Sequence, residues 1–293
     1  MIQSIQHFKS VFFIGVAGTG MSAIAQYLAG IGKQVSGSDR YFIEGEANYT
    51  RQKLEAAKIH CYLQDGSGIH EGIDLVVVST AVEDTVAEVQ KAKLLQIPII
   101  KRSELLAMIA RSKKTIAVGG TSGKSTTSAM LFQILQQAGM QPSIISGAGL
   151  VSIIKEGKIG NAKVGEGEWL IIEADESDGS IVHYTPQIGL LLNIDKDHQE
   201  MDELMEIFLK FKHNTQSFFI VNQSNKQAAS LSVKLAYDFG SDVTTAAGYV
   251  GGDFAQEGML IRFTINGYPF QLHSVGKHNM ENVLAAVAVA HLL

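Results

Sequence analysis

The stretch Ile116-Ala-Val-Gly-Gly-Thr-Ser-Gly-Lys-Ser-Thr-Thr127 constrains this chain more than any other. An apolar run ends in paired glycines and Gly-Lys-Ser, and apolar residues at helical spacing follow from Ser125 to Leu135. That is a buried strand turning into a helix around an anion. In such turns backbone N–H groups cradle phosphate, a lysine reaches the outer phosphates and the next hydroxyl binds Mg²⁺. Lys124 and Ser125 stand in those two places, with Gly120, Thr121, Ser122, Gly123 and Thr126 completing a loop for a nucleoside triphosphate. The strict phosphate-loop spacing fails at one position, where Val118 stands instead of glycine.

A strand that feeds a helix in this way belongs to a parallel α/β sheet. The first hundred residues alternate accordingly: Val11–Val16, Met21–Ile31, Gln34–Ser38, Ala47–Lys58, Leu75–Ser79, Ala87–Leu95 and Ile97–Ile100. A charged helical connector is expected over Ser103–Lys114. Beyond the loop, strands are expected at Trp169–Ala174, Ile188–Asn193 and Phe218–Asn222, with a helix over Glu203–His213. From Val233 to Ser274 strand patterns alternate, broken at Gly251-Gly252 and turned at Asn266-Gly267, a two-residue hairpin signal. The expected fold is α/β: a Rossmann-like parallel-sheet domain over 1–110, then a P-loop-type ATPase domain over 111–293 with a small antiparallel strand section. The apolar helical pattern Glu281–Leu293 stops without cap, charged tail or Gly/Pro. The chain is therefore expected to be a piece of a longer protein.

Composition narrows the function classes. The longest apolar runs fall well short of the roughly 18 to 20 residues that span a bilayer, and no secretory signal is visible, so a cytoplasmic protein without membrane partners is expected. A net charge of −5 with interspersed signs argues against nucleic acid. One cysteine, Cys61, excludes an intramolecular disulfide; in its strand-like setting it reads as a buried inert thiol.

Four further segments carry chemistry. Gly15-Val-Ala-Gly-Thr-Gly-Met21 follows a strand and opens a helix, and Asp39 ends the next strand about 20 residues on, as a ribose-binding acid does. The spacing is Gly-x-x-Gly-x-Gly, so a nucleotide diphosphate and simple helix-to-strand packing both remain open; Arg102 can approach the same crevice or simply be a solvated basic side chain. Glu173-Ala-Asp-Glu-Ser-Asp178 places four carboxylates just past an apolar strand, where a Mg²⁺ ligand is needed. Asp197-His198 lies past the next strand, and its imidazole can ligate a metal or bind phosphate. Asn279 and Asn282, three apart at the start of the last helix, suit an adenine edge if they share a face; helix capping by Asn279 is the alternative.

In this order Gly15–Met21, Ser36–Asp39, Ser79–Ala81, Lys101–Glu104, Gly120–Thr126, Glu173–Asp178, Asn193–His198 and Gly276–Asn279 resemble the Mur ligase family over essentially the whole chain. These are ATP-dependent amide-forming ligases of peptidoglycan synthesis. The resemblance implies ATP and Mg²⁺ as cofactors, and UDP-N-acetylmuramate with an amino acid or peptide as substrates, in a monomer or weak dimer. It implies that the lactyl carboxylate is phosphorylated to an acyl phosphate, which the incoming amine attacks. On this likeness Lys124, Glu173 and His198 are catalytic, and Ser125, Glu173 and His198 hold metal. Asn279 and Asn282 hold adenine. Gly15, Gly18, Thr19, Gly20, Met21, Asp39, Ser79 and Arg102 bind the UDP-sugar.

The acidic run and the Gly-x-Gly-Met form look most like members that add L-alanine, and members that attach a murein tripeptide share most of them. Two departures bear on the donor. Ser122 stands where alanine-adding members usually carry His, with Ser125 for their usual Thr, and the link from His198 to Lys212-His-Asn214 looks shorter than theirs. The family also has a third, C-terminal domain that this chain does not supply, so the isolated chain is expected to bind ligands without turning over. A nucleotide-dependent oxidoreductase would leave Lys124, Glu173 and His198 without work. A non-catalytic binding module is the remaining class, suggested by Ser122.

Overall fold

A computed structural model describes residues 2–177, 179–195, 200–241, 244 and 246–293. The chain divides into two compact units, Met1–Lys113 with Ser143–Glu166, and Lys114–Pro142 with Gly167–Leu293.

The first unit opens with β1 (Ser10–Ile14), α1 (Thr19–Gly30), β2 (Gln34–Ser38), α2 (Tyr49–Ala56) and β3 (Ile59–Tyr62). It continues with β4 (Leu75–Val78), α3 (Ala87–Leu94), β5 (Ile99–Lys101) and α4 (Arg102–Arg111). The five strands are parallel in the order β3-β2-β1-β4-β5. Val11, Phe12, Phe13 and Ile14 are all fully buried, because a central parallel strand is covered on both faces and does not alternate. Strand order reverses on either side of β1, so the loop after β1 opens at a topological switch point, where open α/β sheets bind ligands. The expected charged connector is instead a core helix: α4 buries Leu105, Leu106, Ala107, Ile109 and Ala110. Its charges fill only the other face, which is why composition read it as a linker.

The second unit begins with β6 (Lys114–Gly119) and α5 (Lys124–Gln137). Then β7 (Ser143–Ile145), α6 (Val151–Ile154) and β8 (Ala162–Lys163) belong to the first unit. There Asn161, 1% exposed, donates to Thr19 O at 2.8 Å and Ser22 Oγ at 2.9 Å and accepts from Gln26 Nε2 at 2.7 Å, stapling this excursion to the start of α1. The second unit resumes with β9 (Trp169–Ala174), β10 (Ile188–Leu191), α7 (Met201–Asn214), β11 (Phe218–Val221) and α8 (Lys226–Ala229). It ends with β12 (Phe239–Gly240), β13 (Tyr249–Glu257), β14 (Leu260–Ile265), β15 (Tyr268–His273) and α9 (Lys277–Ala290).

Within this unit β11-β10-β6-β9 run parallel in that order. β13, β14 and β15 form an antiparallel meander, with β12 parallel to β13. Asn266 (φ 48°) and Gly267 (φ 83°) make the expected two-residue turn between β14 and β15, both in the left-handed region such turns demand. Gly251-Gly252 does not break a strand, as the composition suggested. Both lie inside β13, beside a register shift between Gly252 and Ala255. A Cβ at Gly251 would approach Leu284 Cδ1 of α9 to 2.7 Å, so the glycine serves close helix packing. α9 buries Met280, Leu284, Ala285, Ala286, Ala288 and Val289 and packs on α5; its alanines suit so close an approach.

Cys61 is 6% exposed, and burial, with Glu55 adding, pushes its thiol up to about 12, as an inert cysteine requires. Among the described residues no helix is long and apolar enough to cross a membrane.

Asp74, just before β4, accepts from Lys9 N at 2.8 Å and Ser10 N at 2.9 Å, tying it to the start of β1. These N–H groups, Ser10's first and then Lys9's, hold its carboxyl below the usual range. A depressed acid contributes stability above its unfolded pKa and loses it as pH falls through the folded value. Asp74→Asn should therefore destabilise by roughly 1 kcal/mol at pH 7, with the gap closing below about pH 4, the unperturbed Asp range. Urea melts at both pH values check this; a gap independent of pH would contradict it.

Candidate functional site

The turn expected to hold phosphate lies where β6 hands over to α5. Val118, the position that breaks the strict spacing, is fully buried inside β6, so the missing glycine falls in the strand and not in the loop. The turn itself needs glycine. Gly123 is the α5 N-cap with φ 84°, a left-handed conformation that glycine alone adopts at no steric cost. Among the described residues no side chain caps α5. The first N–H groups of a helix lack intrahelical acceptors and carry the positive end of its dipole, which suits this end to an anion.

Asn193, two residues past the end of β10, braces the loop. Its Oδ1 accepts from Thr121 Oγ1 at 2.8 Å and Ser122 N at 2.9 Å, and its Nδ2 donates to Ser122 O at 3.2 Å. Thr121 Oγ1 in turn accepts from Asp195 N at 3.1 Å. In the sequence Asn193 marks only the end of the expected strand Ile188–Asn193 and the start of the segment Asn193–His198; an amide at a strand end is the available signal for its bracing role.

The acidic run sorts itself by partner. Glu173, in β9 directly opposite Val118, accepts from Ser125 Oγ at 2.8 Å. Glu176 accepts from Lys124 Nζ at 2.9 and 3.2 Å, and Lys124 also donates to Gly120 O at 2.7 Å. A hydroxyl and a carboxylate this close are hard oxygen ligands of the kind Mg²⁺ takes. That ion typically uses one or two protein ligands and fills its octahedron with phosphate oxygens and water. The pair thus fits Mg²⁺, although among the described residues no group of three His, Cys, Asp or Glu is placed to hold a metal. Asp178, Asp197 and His198 lie outside the described residues.

Asn279 and Asn282 share one face of α9, as their spacing implied. Asn282 Oδ1 accepts from Thr127 Oγ1 of α5 at 3.1 Å, and Asn282 Nδ2 donates to Asn279 Oδ1 at 3.2 Å. Asn279 Nδ2 donates back to Ser274 Oγ at 2.7 Å and Val275 O at 2.8 Å. The N-cap of α9 is Gly276, so Asn279 is not the capping residue. Ser122, Gly123, Asn193, Asn222, Asn279 and Asn282 line a cavity of about 290 Å³. Thr126 is on its wall as well.

In the first unit the predicted residues gather at the C-terminal ends of β1, β2, β4 and β5. Asp39, 4% exposed, accepts from Ala17 N at 2.9 Å through Oδ2 and from Tyr41 N at 3.1 Å through Oδ1, so it braces the glycine loop. Gly15 N donates to Ser38 O at 2.8 Å, while Gly18 is the uncapped N-cap of α1. Arg102 comes against the first turn of α1: a Cβ on Gly20 would lie 2.7 Å from Arg102 Nη1. Thr19 is exposed beside it, and Ser79 follows β4. Met21, 3% exposed, is turned into the core.

The sequence model for "Mur ligase family, catalytic domain" matches residues 10–114, and that for "Mur ligase middle domain" matches residues 118–290. The chain belongs to the Mur ligase family. It is 34% identical over 301 residues to the UDP-N-acetylmuramate–L-alanine ligase of Syntrophomonas wolfei, covering 96% of this chain and 62% of that protein. The Mesorhizobium japonicum enzyme of the same name is 33% identical, with 97% and 63% covered. The chain thus spans about 62% of the length of these Mur ligases.

Among solved structures, UDP-N-acetylmuramate–alanine ligase from Thermotoga maritima superposes with a TM-score of 0.82 at 24% identity, covering 97% of this chain and 65% of that one. UDP-N-acetylmuramate:L-alanyl-gamma-D-glutamyl-meso-diaminopimelate ligase from Neisseria meningitides gives 0.78 at 23% identity, covering 97% and 94%. Both share the Mur ligase fold seen here.

Asn282→Ala should strand the buried Thr127 hydroxyl and lower stability by about 1–3 kcal/mol. Adding Thr127→Val should recover part of that loss, because both partners are then apolar. A thermal double-mutant cycle reads this, and strict additivity would refute the coupling.

Proposed function

We propose that this chain forms the UDP-sugar-binding and ATP-binding parts of an ATP-dependent ligase of peptidoglycan synthesis, one that joins L-alanine to the lactyl carboxylate of UDP-N-acetylmuramate. The observation that carries this reading is the loop after β6, where Lys124 and the Ser125–Glu173 pair, 2.8 Å apart, lie at the uncapped start of α5.

In the proposed reaction a lactyl carboxylate oxygen attacks the γ-phosphorus of ATP and ADP departs. The amine of the donor then attacks the acyl carbon of the acyl phosphate, releasing inorganic phosphate and a proton. Phosphoryl transfer of this kind depends on positioning and on charge stabilisation. Lys124 and the α5 N–H groups bind the outer phosphates and neutralise charge that grows on the transferring group. Ser125 and Glu173 hold Mg²⁺, which supplies further neutralisation when bound, and His198 is proposed for a second ion. Asn279 and Asn282 offer amide donors and acceptors to adenine on the cavity wall beside Gly123. In the first unit the glycine loop, with Thr19, Ser79 and Arg102, takes the UDP diphosphate and sugar.

A second donor, murein tripeptide, is kept in view by Ser122 and by the short segment from His198 to Asn214. Phosphate release by a longer polypeptide containing this chain, with L-alanine against tripeptide, separates the two donors.

The sites can be tested on the chain itself by calorimetry. Lys124→Ala should weaken Mg·ATP binding at least tenfold, about 1.4 kcal/mol or more, and leave UDP-N-acetylmuramate binding within twofold. Arg102→Ala should do the converse. Unchanged ATP affinity in Lys124→Ala would refute the phosphate-loop assignment, and unchanged UDP-N-acetylmuramate affinity in Arg102→Ala would remove Arg102 from the sugar site.

A further inference from the structure

The ammonium of Lys124 is already neutralised. It has three N–H donors, and its acceptors are Gly120 O at 2.7 Å and the two Glu176 oxygens at 2.9 and 3.2 Å. Both side chains are largely withdrawn from water, 16% exposed for Lys124 and 8% for Glu176. This is no surface ion pair that solvent can replace at little cost. Glu176 is also anchored from behind: its own carbonyl accepts from Gly179 N at 3.1 Å, while Glu173 is engaged separately with Ser125. The carboxylate therefore holds the lysine that, on the reading proposed above, must grip the outer phosphates of ATP.

We infer that Glu176 is a displaceable internal anion. It stands in for phosphate on Lys124 while the loop is empty, and it makes the loop select magnesium-complexed nucleotide over the free polyanion. An incoming triphosphate needs the lysine donors that Glu176 holds, so the carboxylate must swing away or share them. If it shares them, it lies against the phosphate charge. Free ATP meets that repulsion in full. Mg·ATP carries two fewer negative charges, and the ion held by Ser125 and Glu173 offsets what remains. Glu176 is thus a positioning residue that acts through Lys124. Its further effect is to keep the buried ammonium paired between turnovers, which stabilises the empty loop.

The inference rests on the phosphate-loop reading, and the experiment separates the two. ATP is titrated calorimetrically into the wild-type chain, Glu176→Gln and Lys124→Ala, each with excess Mg²⁺ and with EDTA. Glu176→Gln should bind free ATP at least fivefold more tightly than wild type, gain by a clearly smaller factor for Mg·ATP, and show a steeper loss of ATP affinity with added salt. Its ligand-free form should melt lower than wild type, with ATP raising its Tm by more. Glu176→Asp keeps the charge but withdraws it by one methylene, and should show a smaller gain of the same sign; it serves if the Gln variant does not fold. No gain for free ATP in either variant, or equal gains with and without Mg²⁺, overturns the inference. If Lys124→Ala binds both forms like wild type, the phosphate-loop reading itself has failed. If Lys124→Ala loses binding while the Glu176 variants gain nothing, that reading stands and only the role of Glu176 falls.

Discussion

Everything around the glycine turn of the second unit depends on β6 running parallel between β9 and β10. Parallel neighbours end on the same side, so three separate strands deliver their following residues to one edge of the sheet. β6 brings the glycine turn and α5, β9 brings Glu173 and Glu176, and β10 brings Asn193. The strands are apolar because both sheet faces are covered. Their parallel register aligns the polar residues past their ends. The same buried pairing that stabilises the unit places Glu173 opposite Val118.

Charge is balanced locally at this edge. An uncapped helix start and a withdrawn ammonium would be costly side by side without anions. Two carboxylates of one short run answer them separately, Glu173 through the Ser125 hydroxyl and Glu176 through the ammonium itself. Asn193 braces the loop, using both hydrogen-bonding functions of its amide against Thr121 and Ser122.

The first unit solves a related problem with other parts. Its glycine turn also follows the central strand of a parallel sheet and opens a helix without a side-chain cap, but the brace is Asp39 from the neighbouring strand. The acid that spacing marked as a ribose ligand has both oxygens engaged with backbone N–H groups of the loops. Arg102 supplies the positive charge, lying against Gly20 where any side chain would collide with it.

Much was legible in the linear chain because the signals are local. Buried parallel strands read as unbroken apolar runs, and Asn266-Gly267 read as a two-residue turn because few residues tolerate that backbone. The Gly-Lys-Ser turn and the shared face of Asn279 and Asn282 likewise need only neighbours in sequence. Other features were not legible. Nothing in Glu173-Ala-Asp-Glu-Ser-Asp178 says which acid meets the hydroxyl and which the lysine, since partners some fifty residues away are chosen by strand register. Gly251-Gly252 looked like a break because the helix that needs its flatness arrives thirty residues later. The excursion Ser143–Glu166 to the first unit, stapled by Asn161, had no signal at all. The sequence alone thus determined the parallel α/β class, the glycine turn between β6 and α5 and the set of polar residues available to it, through local backbone and burial preferences. Only tertiary packing decided which of them touch, because contacts between distant segments are selected by how the buried strands and helices fit.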